Sequence, residues 1–262
     1  MKDLQNSRDH RNIPIRKVGI KQLEYPVTVL DRAHESQESV ASINMYVDLP
    51  HDFKGTHMSR FVEIINEHRG RISVKEIGDI LKSMLSRLDC ENAHFEIRFP
   101  YFIERTAPHS KAKSLMSYDC AILASMQRDG EMDSVVEARV PVTMVCPCSR
   151  EISERGAHNQ RAYITIRVRG RQLIWLEELI EIAEAAASAP VFALLKRSDE
   201  KVLTEQAYDA ARFAEDAVRG AAERLRADKR ITWYEVESEN MESIHNHNAY
   251  AMVVSDDAGV SG

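Results

Sequence analysis

Two segments in the second half of the chain hold the residue types that perform metal and acid–base chemistry. The first, CPCSREISERGAHNQR, covers residues 146–161 and contains two of the four cysteines, one residue apart, with His158 ten residues after the second. A thiolate and an imidazole together suit Zn²⁺ or a similar divalent ion. A single C-x-C is a weak metal motif, however, and two small buried residues on an apolar strand would give the same spacing. Because Pro147 between the cysteines cannot donate a ladder hydrogen bond, we expect a strand end or edge here.

The second segment, ESENMESIHNHNAY, covers residues 237–250 and is rich in carboxylates and imidazoles. It holds Glu237, Glu239, Glu242, His245 and His247 within eleven residues. Glutamate and histidine close together can bind a metal or act as a general acid and base. On a strand, His245 and His247 would face the same side. We therefore predict that this segment lines a site, in which three protein ligands and one open position would be typical of a catalytic metal.

The polar stretch LLKRSDEK, residues 194–201, offers a further carboxylate in Glu200. Its composition is typical of a solvated turn, and the longer stretch VFALLKRSDEK is predicted to be partly extended. Asp199 and Glu205 are equal candidates by composition. The residues alone therefore do not select Glu200 as a ligand.

The composition is typical of a soluble, well-packed protein. Hydrophobic residues make up 44% and charged residues 29% of the 262 residues. No apolar run approaches the roughly 20 residues of a membrane span, and the N-terminal MKDLQNSRDHRNIPIRK lacks the apolar core of a signal peptide. We therefore expect a cytoplasmic protein without a disulfide framework. A formal net charge of −6 argues against general nucleic-acid binding, so we expect neither nucleic acid nor a membrane as a partner.

Hydrophobic patterning divides the chain into two similar halves, each ordered strand, helix, helix, strand, strand. Predicted strands include residues 42–50, 93–103, 116–127 and 162–170, predicted helices begin at residue 59 and span 211–229, and HNHNAYAMVVS is the last predicted strand. This is a repeat of pattern over roughly 120 residues rather than of residue identity. Strands with hairpin-like returns beside paired helices favour an antiparallel α+β fold over a doubly wound parallel sheet. Neither the G-x-G-x-x-G nor the G-x-x-x-x-G-K-[ST] motif is present, so neither dinucleotide nor phosphate-loop binding is supported.

Four stretches, PVTMVCPCSREISERGAHNQR, LLKRSDEK, ARFAEDAVR and VESENMESIHNHNAY, together resemble the type IB GTP cyclohydrolase I family. INMYVDLP and KGTHMSRF in the first half extend the resemblance over nearly the whole chain after about residue 12. The combination of CPCS and GAHNQR with ESxHNHxAY is highly specific to that family.

The resemblance implies an α+β fold of the tunnelling type, with two tandem units whose antiparallel sheets carry paired helices and assemble into barrels. It also implies a homotetramer with sites at subunit interfaces. We expect a disordered tail over residues 1–12, a first unit over 13–140, a second unit over 141–255 with most of the site residues, and a tail over 256–262. These expectations agree with the repeat of pattern.

The reaction implied by the resemblance converts GTP and water to 7,8-dihydroneopterin triphosphate and formate, the first step of tetrahydrofolate synthesis, with a divalent metal (Zn, Mn or Fe). Carried over residue by residue, the resemblance assigns Cys146, His158 and Glu200 to the metal, Cys146, Glu242 and His245 to catalysis, and Glu215 of RFAEDAVR to the purine ring. The triphosphate needs cations, for which the candidates by charge are His57, Arg60, Lys196 and Arg197. Cys148 and His247 receive no role.

Two other functions remain open at this point. Another tunnelling-fold enzyme could act on a pterin or a deazapurine, and a nitrile reductase of that kind would need a nucleophilic cysteine and NADPH without a metal. A non-catalytic zinc-binding protein would hold its ion with four protein ligands and leave no position for water.

Overall fold

The computed structural model describes residues 5, 7–68, 71–72 and 74–255 of the chain. Contacts divide the chain into two compact units, each made of two stretches of sequence. The first comprises the chain up to Pro100 together with Ala121–Val135, and the second comprises Tyr101–Cys120 together with the chain from Val136 onward. The predicted division of the chain has one boundary, between residues 140 and 141, with each unit continuous in sequence. The units are interleaved along the chain instead, because three strands contribute residues to both.

The first unit is built on a long antiparallel hairpin. Its elements are β1 (Ile15–Asp31), β2 (Glu35–Leu49), α1 (Met58–Glu67), β3 (Arg71–Ile72) and α2 (Val74–Leu88), with parts of β4 (Asn92–Thr106), β5 (Lys113–Gln127) and β6 (Met132–Val145). Strand β2 pairs antiparallel with both β1 and β4, whereas the short β3 runs parallel to β1. Alternate residues of β2, namely Ile43, Met45 and Val47, are buried, as are Ile64 of α1 and Leu81 of α2.

The predicted tails are described in part. Arg8 forms an isolated antiparallel bridge with Phe53, and the backbone N–H of Asp9 donates to the carbonyl of Asp52 at 2.9 Å. The portion of the predicted 1–12 tail that contains these residues is therefore paired with the loop after β2. The predicted tail over residues 256–262 lies outside the described residues.

The second unit is an antiparallel sheet with helices on one face. Besides its parts of β4, β5 and β6 it contains α3 (Pro147–Ile152), β7 (Asn159–Gly170), α4 (Leu176–Ala186), β8 (Ala189–Pro190), α5 (Arg197–Asp209), α6 (Ala214–Ala227), β9 (Ile231–Asn240) and β10 (Ala249–Val254). Strand β7 lies between β6 and β9, and β10 follows β9, each pair being antiparallel. Alternate residues of β7, such as Ile164 and Ile166, are buried together with Leu179 of α4 and Ala221 of α6. This alternation is the period-2 pattern of a sheet with one covered face.

The other face of this sheet carries a cluster of charges centred on Arg167. Its guanidinium bonds Glu137 of β6 at 2.5 Å and Glu237 of β9 at 2.6 Å, and it also contacts Glu235. Burial alone would lower the pKa of Arg167, but its hydrogen bonds to the three carboxylates raise it above the ordinary value. The cluster joins β6, β7 and β9 at their middles, so it fixes the strands whose ends carry the candidate site.

The predicted antiparallel α+β fold is confirmed, and two local predictions are wrong. The stretch after residue 196 is the helix α5, not extended chain, and the last strand begins at Ala249, so His245 and His247 precede it. Within the part of the chain that the structure describes, no helix is both long enough and apolar enough to span a bilayer.

Candidate active site

Cys146 lies where β6 ends and the short helix α3 begins. Pro147 occupies the first turn of α3, where its fixed φ suits a helix start and its missing N–H costs nothing. The side chain of Cys146 caps this helix, with Sγ accepting from the backbone N–H of Ser149 at 3.4 Å. Pro147 therefore marks a strand end, as predicted. Cys148, however, lies inside α3 and is exposed, so the two cysteines are not neighbours on one strand.

The end of β6 is held from several directions. The N–H of Val145 donates to Ser188 Oγ at 3.1 Å, and the carbonyl of Val145 accepts from the N–H of Arg212 at 3.0 Å. One residue later, the N–H of Cys146 donates to the carbonyl of His158 at 3.1 Å, and the N–H of His158 donates to Ser149 Oγ at 3.1 Å. These bonds bring the backbones of Cys146 and His158 side by side, although twelve residues separate them in the sequence.

His158 belongs to a chain of side-chain hydrogen bonds that reaches Glu242. Its Nδ1 lies 3.0 Å from Gln160 Oε1, and Gln160 Nε2 donates to Glu242 Oε1 at 3.1 Å. The other oxygen of Glu242 lies 3.7 Å from His158 Nδ1. An amide oxygen only accepts, so this contact is a hydrogen bond when Nδ1 carries the proton, and in that neutral tautomer Nε2 keeps the lone pair that a metal requires. A metal-binding histidine is commonly oriented in this way by a group on its other nitrogen.

Glu200 lies in the first turn of α5, and the neighbouring Asp199 fixes that turn. The carboxylate of Asp199 is buried and accepts from the backbone N–H of Lys196 at 2.8 Å, which caps the helix. Burial on its own would raise the pKa of Asp199, but the hydrogen bonds that it accepts, from Ser110 first, hold the pKa well below its ordinary value. Asp199 is thus fully engaged as a hydrogen-bond acceptor, whereas Glu200 is exposed.

A pocket of about 420 Å³ adjoins Glu200. The residues that line it include Val145, which precedes Cys146, and Ala157 and Asn159, which flank His158, together with Arg161 and the apolar Phe192, Leu195 and Leu203. Glu200 therefore shares a pocket with the chain neighbours of Cys146 and His158. Among the described residues, however, no three side chains of His, Cys, Asp or Glu gather closely enough to hold a metal ion. The structure brings the backbones of Cys146 and His158 together, and the assignment of all three ligands stays a prediction.

The loop between β9 and β10, residues 241–248, carries Glu242 and His245. The N–H of Met241 donates to the carbonyl of Arg161 at 3.0 Å, which attaches the loop to β7. Glu242 turns inward to Gln160, whereas His245 is exposed, with its ring stacked on that of His247 at 5.1 Å between centroids. The two histidines thus do lie side by side, but through stacking in a loop rather than through strand periodicity.

The predicted substrate-binding residues lie at helix starts. Glu215 is exposed in the first turn of α6, and Lys196 is the exposed N-cap residue of α5. His57 occupies the N-cap position of α1 in the first unit without a capping hydrogen bond from its side chain. Arg60 of the same helix donates from Nη1 to the carbonyl of Arg87 at 3.1 Å, which ties α1 to α2.

Two residues of the candidate site, Gln160 and Asp199, have roles that sequence reasoning missed. Gln160 occupies a buried position of β7 that continues the apolar row of Ala162 and Ile164. A glutamine at the end of an otherwise apolar row is the signal that could have identified it, because buried amides need partners. Asp199 could have been identified as a helix N3 carboxylate, which reaches back to the N-cap backbone.

Solved structures share this fold at low sequence identity. Uricase from Arthrobacter globiformis superposes with a TM-score of 0.57 at 8% identity, covering 94% of this chain and 95% of that chain. Urate oxidase from Bacillus subtilis 168 superposes with a TM-score of 0.55 at 10% identity, covering 92% of this chain and 100% of that chain. At such identities the likeness shows the fold alone, and that fold is the tunnelling fold.

Close relatives match along nearly the whole chain. Proteins named GTP cyclohydrolase FolE2 from Syntrophotalea carbinolica and from Syntrophus aciditrophicus are each 56% identical over 253 residues, which is 97% of this chain and 94% and 99%, respectively, of theirs. The family model described as type I GTP cyclohydrolase folE2 matches residues 1–251. The predicted resemblance is thereby confirmed at the level of a GTP cyclohydrolase, and the chain belongs to the type I GTP cyclohydrolase folE2 family.

Proposed function

We propose that this protein hydrolyses GTP to 7,8-dihydroneopterin triphosphate and formate, the first step of tetrahydrofolate synthesis, as a metal-dependent enzyme of the type IB subclass. The observation that carries the proposal is the hydrogen-bonded chain from His158 through Gln160 to Glu242, placed beside Cys146 at the end of β6. It puts a potential metal ligand and a potential proton acceptor 3.7 Å apart. The relatives named GTP cyclohydrolase FolE2 support the choice of substrate.

The donor set suits a divalent ion. Cys146 would supply a thiolate, His158 its Nε2 and Glu200 a carboxylate, a combination that fits Zn²⁺, Mn²⁺ or Fe²⁺. When bound, such an ion would lower the pKa of water enough to supply a nucleophile near neutral pH. Glu200 reaches the pocket next to Ala157 and Asn159, so its carboxylate is near the chain that carries His158.

Proton transfer falls to the loop between β9 and β10. Neutral C8 of guanine is a poor electrophile, and protonation of N7 by His245 would make it more reactive. Glu242 would orient the attacking water and accept its proton. The amide of Gln160 donates to one oxygen of Glu242, and the other oxygen, 3.7 Å from Nδ1 of His158, would perform this task.

Guanine recognition is assigned to Glu215 at the start of α6. A carboxylate there can accept from both N1–H and the 2-amino group of guanine, whereas adenine has neither donor in that place. The candidates for binding the triphosphate are Lys196 at the start of α5 and, in the first unit, His57 and Arg60. These three assignments rest on charge.

We also propose a cytoplasmic homotetramer whose sheets assemble into barrels. Tyr250, Met252 and Val254 of β10 are 58%, 51% and 40% exposed and share one face of the strand. Exposed apolar side chains grouped in this way commonly mark an association surface. Light scattering coupled to size-exclusion chromatography tests the tetramer directly, and a monomer at micromolar concentration would contradict it.

Labelled substrate tests the reaction. Protein purified without added metal and then supplied with Mn²⁺, Zn²⁺ or Fe²⁺ should release [¹³C]formate from [8-¹³C]GTP and leave a pterin triphosphate. ATP labelled at the same carbon should release none. Loss of the label from GTP without a pterin product, or no release with any of the three metals, would contradict the proposal.

A further inference from the structure

Asp199 makes more hydrogen bonds than the capping of α5 requires. Its side chain is fully buried, at 0% exposure. Oδ1 accepts from the backbone N–H groups of His109 and Ser110, both at 2.8 Å. Oδ2 accepts from Ser110 Oγ at 2.6 Å and from the backbone N–H of Lys196 at 2.8 Å. A carboxylate has about four acceptor sites, and all of them are used here.

Three of these four bonds lead to the turn between β4 and β5, residues 107–112. That turn is closed by a bond from the N–H of Ala107 to the carbonyl of Ala112 at 2.8 Å, and Lys111 has a φ of +59°. Asp199 is about ninety positions away in the sequence, at separations of 89 and 90 residues from the two donors. The carboxylate therefore joins the first turn of α5 to a distant hairpin, which no helix cap needs.

The strands that carry this turn are themselves fixed to α4. Tyr101 of β4 donates to Glu177 at 2.6 Å, and Tyr118 of β5 donates to Glu184 at 2.9 Å. The turn that joins β4 and β5 is therefore carried by strands that are hydrogen-bonded to α4. Asp199 attaches to this turn the helix start that carries Glu200.

Glu200 depends on its backbone for its position. Within the described residues its carboxylate makes no hydrogen bond or ion pair, and its backbone N–H donates to the carbonyl of Lys196 at 3.0 Å as part of the same first turn. With no polar partner among the described residues to hold the carboxylate elsewhere, its reach is set by the position of the first turn. Displacement of this turn would therefore displace the carboxylate relative to the pocket that it lines.

We propose that Asp199 is a positioning residue, which holds Glu200 at the pocket by tying the first turn of α5 to the turn 107–112. The inference rests on the proposed function, because it takes Glu200 as a metal ligand. Groups that orient a metal ligand typically contribute about 10- to 100-fold to metal affinity or activity. Asp199 would act through Glu200 without touching metal or substrate.

The test is Asp199→Asn. Asparagine has the same size, but its NH₂ group replaces one carboxylate oxygen and would face N–H or O–H donors instead of accepting from them. We expect Mn²⁺ affinity, measured by calorimetry on metal-free protein, to fall about 10- to 100-fold. The kcat for GTP should fall with it, and KM should rise as well, because the same first turn carries Lys196, which is assigned to the triphosphate. Asp209→Asn, at the exposed end of the same helix, is the matched control and should change none of these quantities.

A double variant separates positioning from general stability. If Asp199 acts through Glu200, then Asp199→Asn combined with Glu200→Gln should bind Mn²⁺ as weakly as Glu200→Gln alone. If the double variant loses Mn²⁺ affinity by the product of the two single losses, the proposal is overturned. Unchanged Mn²⁺ affinity in Asp199→Asn, or wild-type affinity in Glu200→Gln, would overturn it too. Should Asp199→Asn fail to fold, Ser110→Ala removes one of the four bonds and should weaken Mn²⁺ binding in the same direction; unchanged binding there would overturn the proposal too.

The measurement of Mn²⁺ affinity on metal-free protein does not depend on catalytic turnover. If wild-type protein releases no formate from GTP, the proposed reaction fails while the comparison of Mn²⁺ affinities still decides the role of Asp199.

Discussion

Gln160 donates a hydrogen bond from Nε2 to Oε1 of Glu242 at 3.1 Å, across 82 positions of sequence. The same amide faces Nδ1 of His158 with its oxygen at 3.0 Å. One buried side chain thus sets the orientation of a potential metal ligand and of a potential proton acceptor. Its position at the start of β7, beside the end of β6, explains why the two motif segments converge.

Replacement of Gln160 by alanine should lower kcat about 10- to 100-fold, because His158 and Glu242 both lose the partner that orients them. The free energy of unfolding should fall by about 1–3 kcal/mol, since polar groups are left unpaired at a buried position. Steady-state kinetics and urea unfolding measure the two effects. Gln172→Ala, at an exposed residue between β7 and α4, should alter neither, and an unchanged kcat in Gln160→Ala would remove Gln160 from the site.

Replacement of Arg167 by methionine should destabilise the second unit. Glu137, Glu235 and Glu237 would lose their common cation, and removal of one partner from a largely buried ion cluster costs on the order of 3 kcal/mol. In the variant, the three carboxylates would lie together without a cation, and acidification would relieve their mutual repulsion. The variant therefore loses stability as the pH rises. Its free energy of unfolding should fall below that of wild type by less at pH 5 than at pH 8.

Urea unfolding at the two pH values measures this deficit. Arg171→Met, at an exposed position just beyond β7, provides the control and should stay within about 0.5 kcal/mol of wild type. A deficit in Arg167→Met that grows on acidification would contradict the assignment of the cluster.

Glu184 of α4 gives the protein a stability contribution of unusual sign. Burial raises its pKa above the ordinary 4.5, in spite of its bonds to Arg105 and Tyr118. A carboxyl whose folded pKa is raised contributes stability that is present below its unfolded pKa and is lost as the pH rises through its folded pKa. Relative to Glu184→Gln, wild-type protein should therefore be more stable at pH 4.5 than at pH 7.5. Glu223→Gln, exposed on α6, should show no such trend, and a wild-type advantage that grows with pH would contradict the prediction.

The sequence predicts the elements whose burial follows a simple period. Strand β7 buries alternate apolar residues, and helix α4 buries apolar residues at helical spacing, so both elements can be predicted from the sequence. Helix α5 was not predicted. An apolar stripe is the main signal of a helix, and α5 buries few residues, Asp199 and Ala207 among them. Its first turn is stabilised by contacts with residues about ninety positions away, which no local pattern reveals.

The candidate site was predictable in part for the same reason. Cys146, His158 and Glu242 stood out by residue type, and the structure places them in neighbouring segments. Gln160 and Asp199 act through tertiary hydrogen bonds, and their residue types are common on any surface. The stacking of His245 on His247 was also hidden, because the loop before β10 breaks the strand period on which the expectation rested.

The paired cysteine variants test the central claim most directly. Cys146 caps α3 at the end of β6, whereas Cys148 is exposed two residues later, so the same substitution probes a proposed ligand and a matched neighbour. With each variant confirmed as folded by circular dichroism, release of [¹³C]formate from [8-¹³C]GTP should fall to background in Cys146→Ala and persist in Cys148→Ala. Turnover that survives in Cys146→Ala would contradict the account.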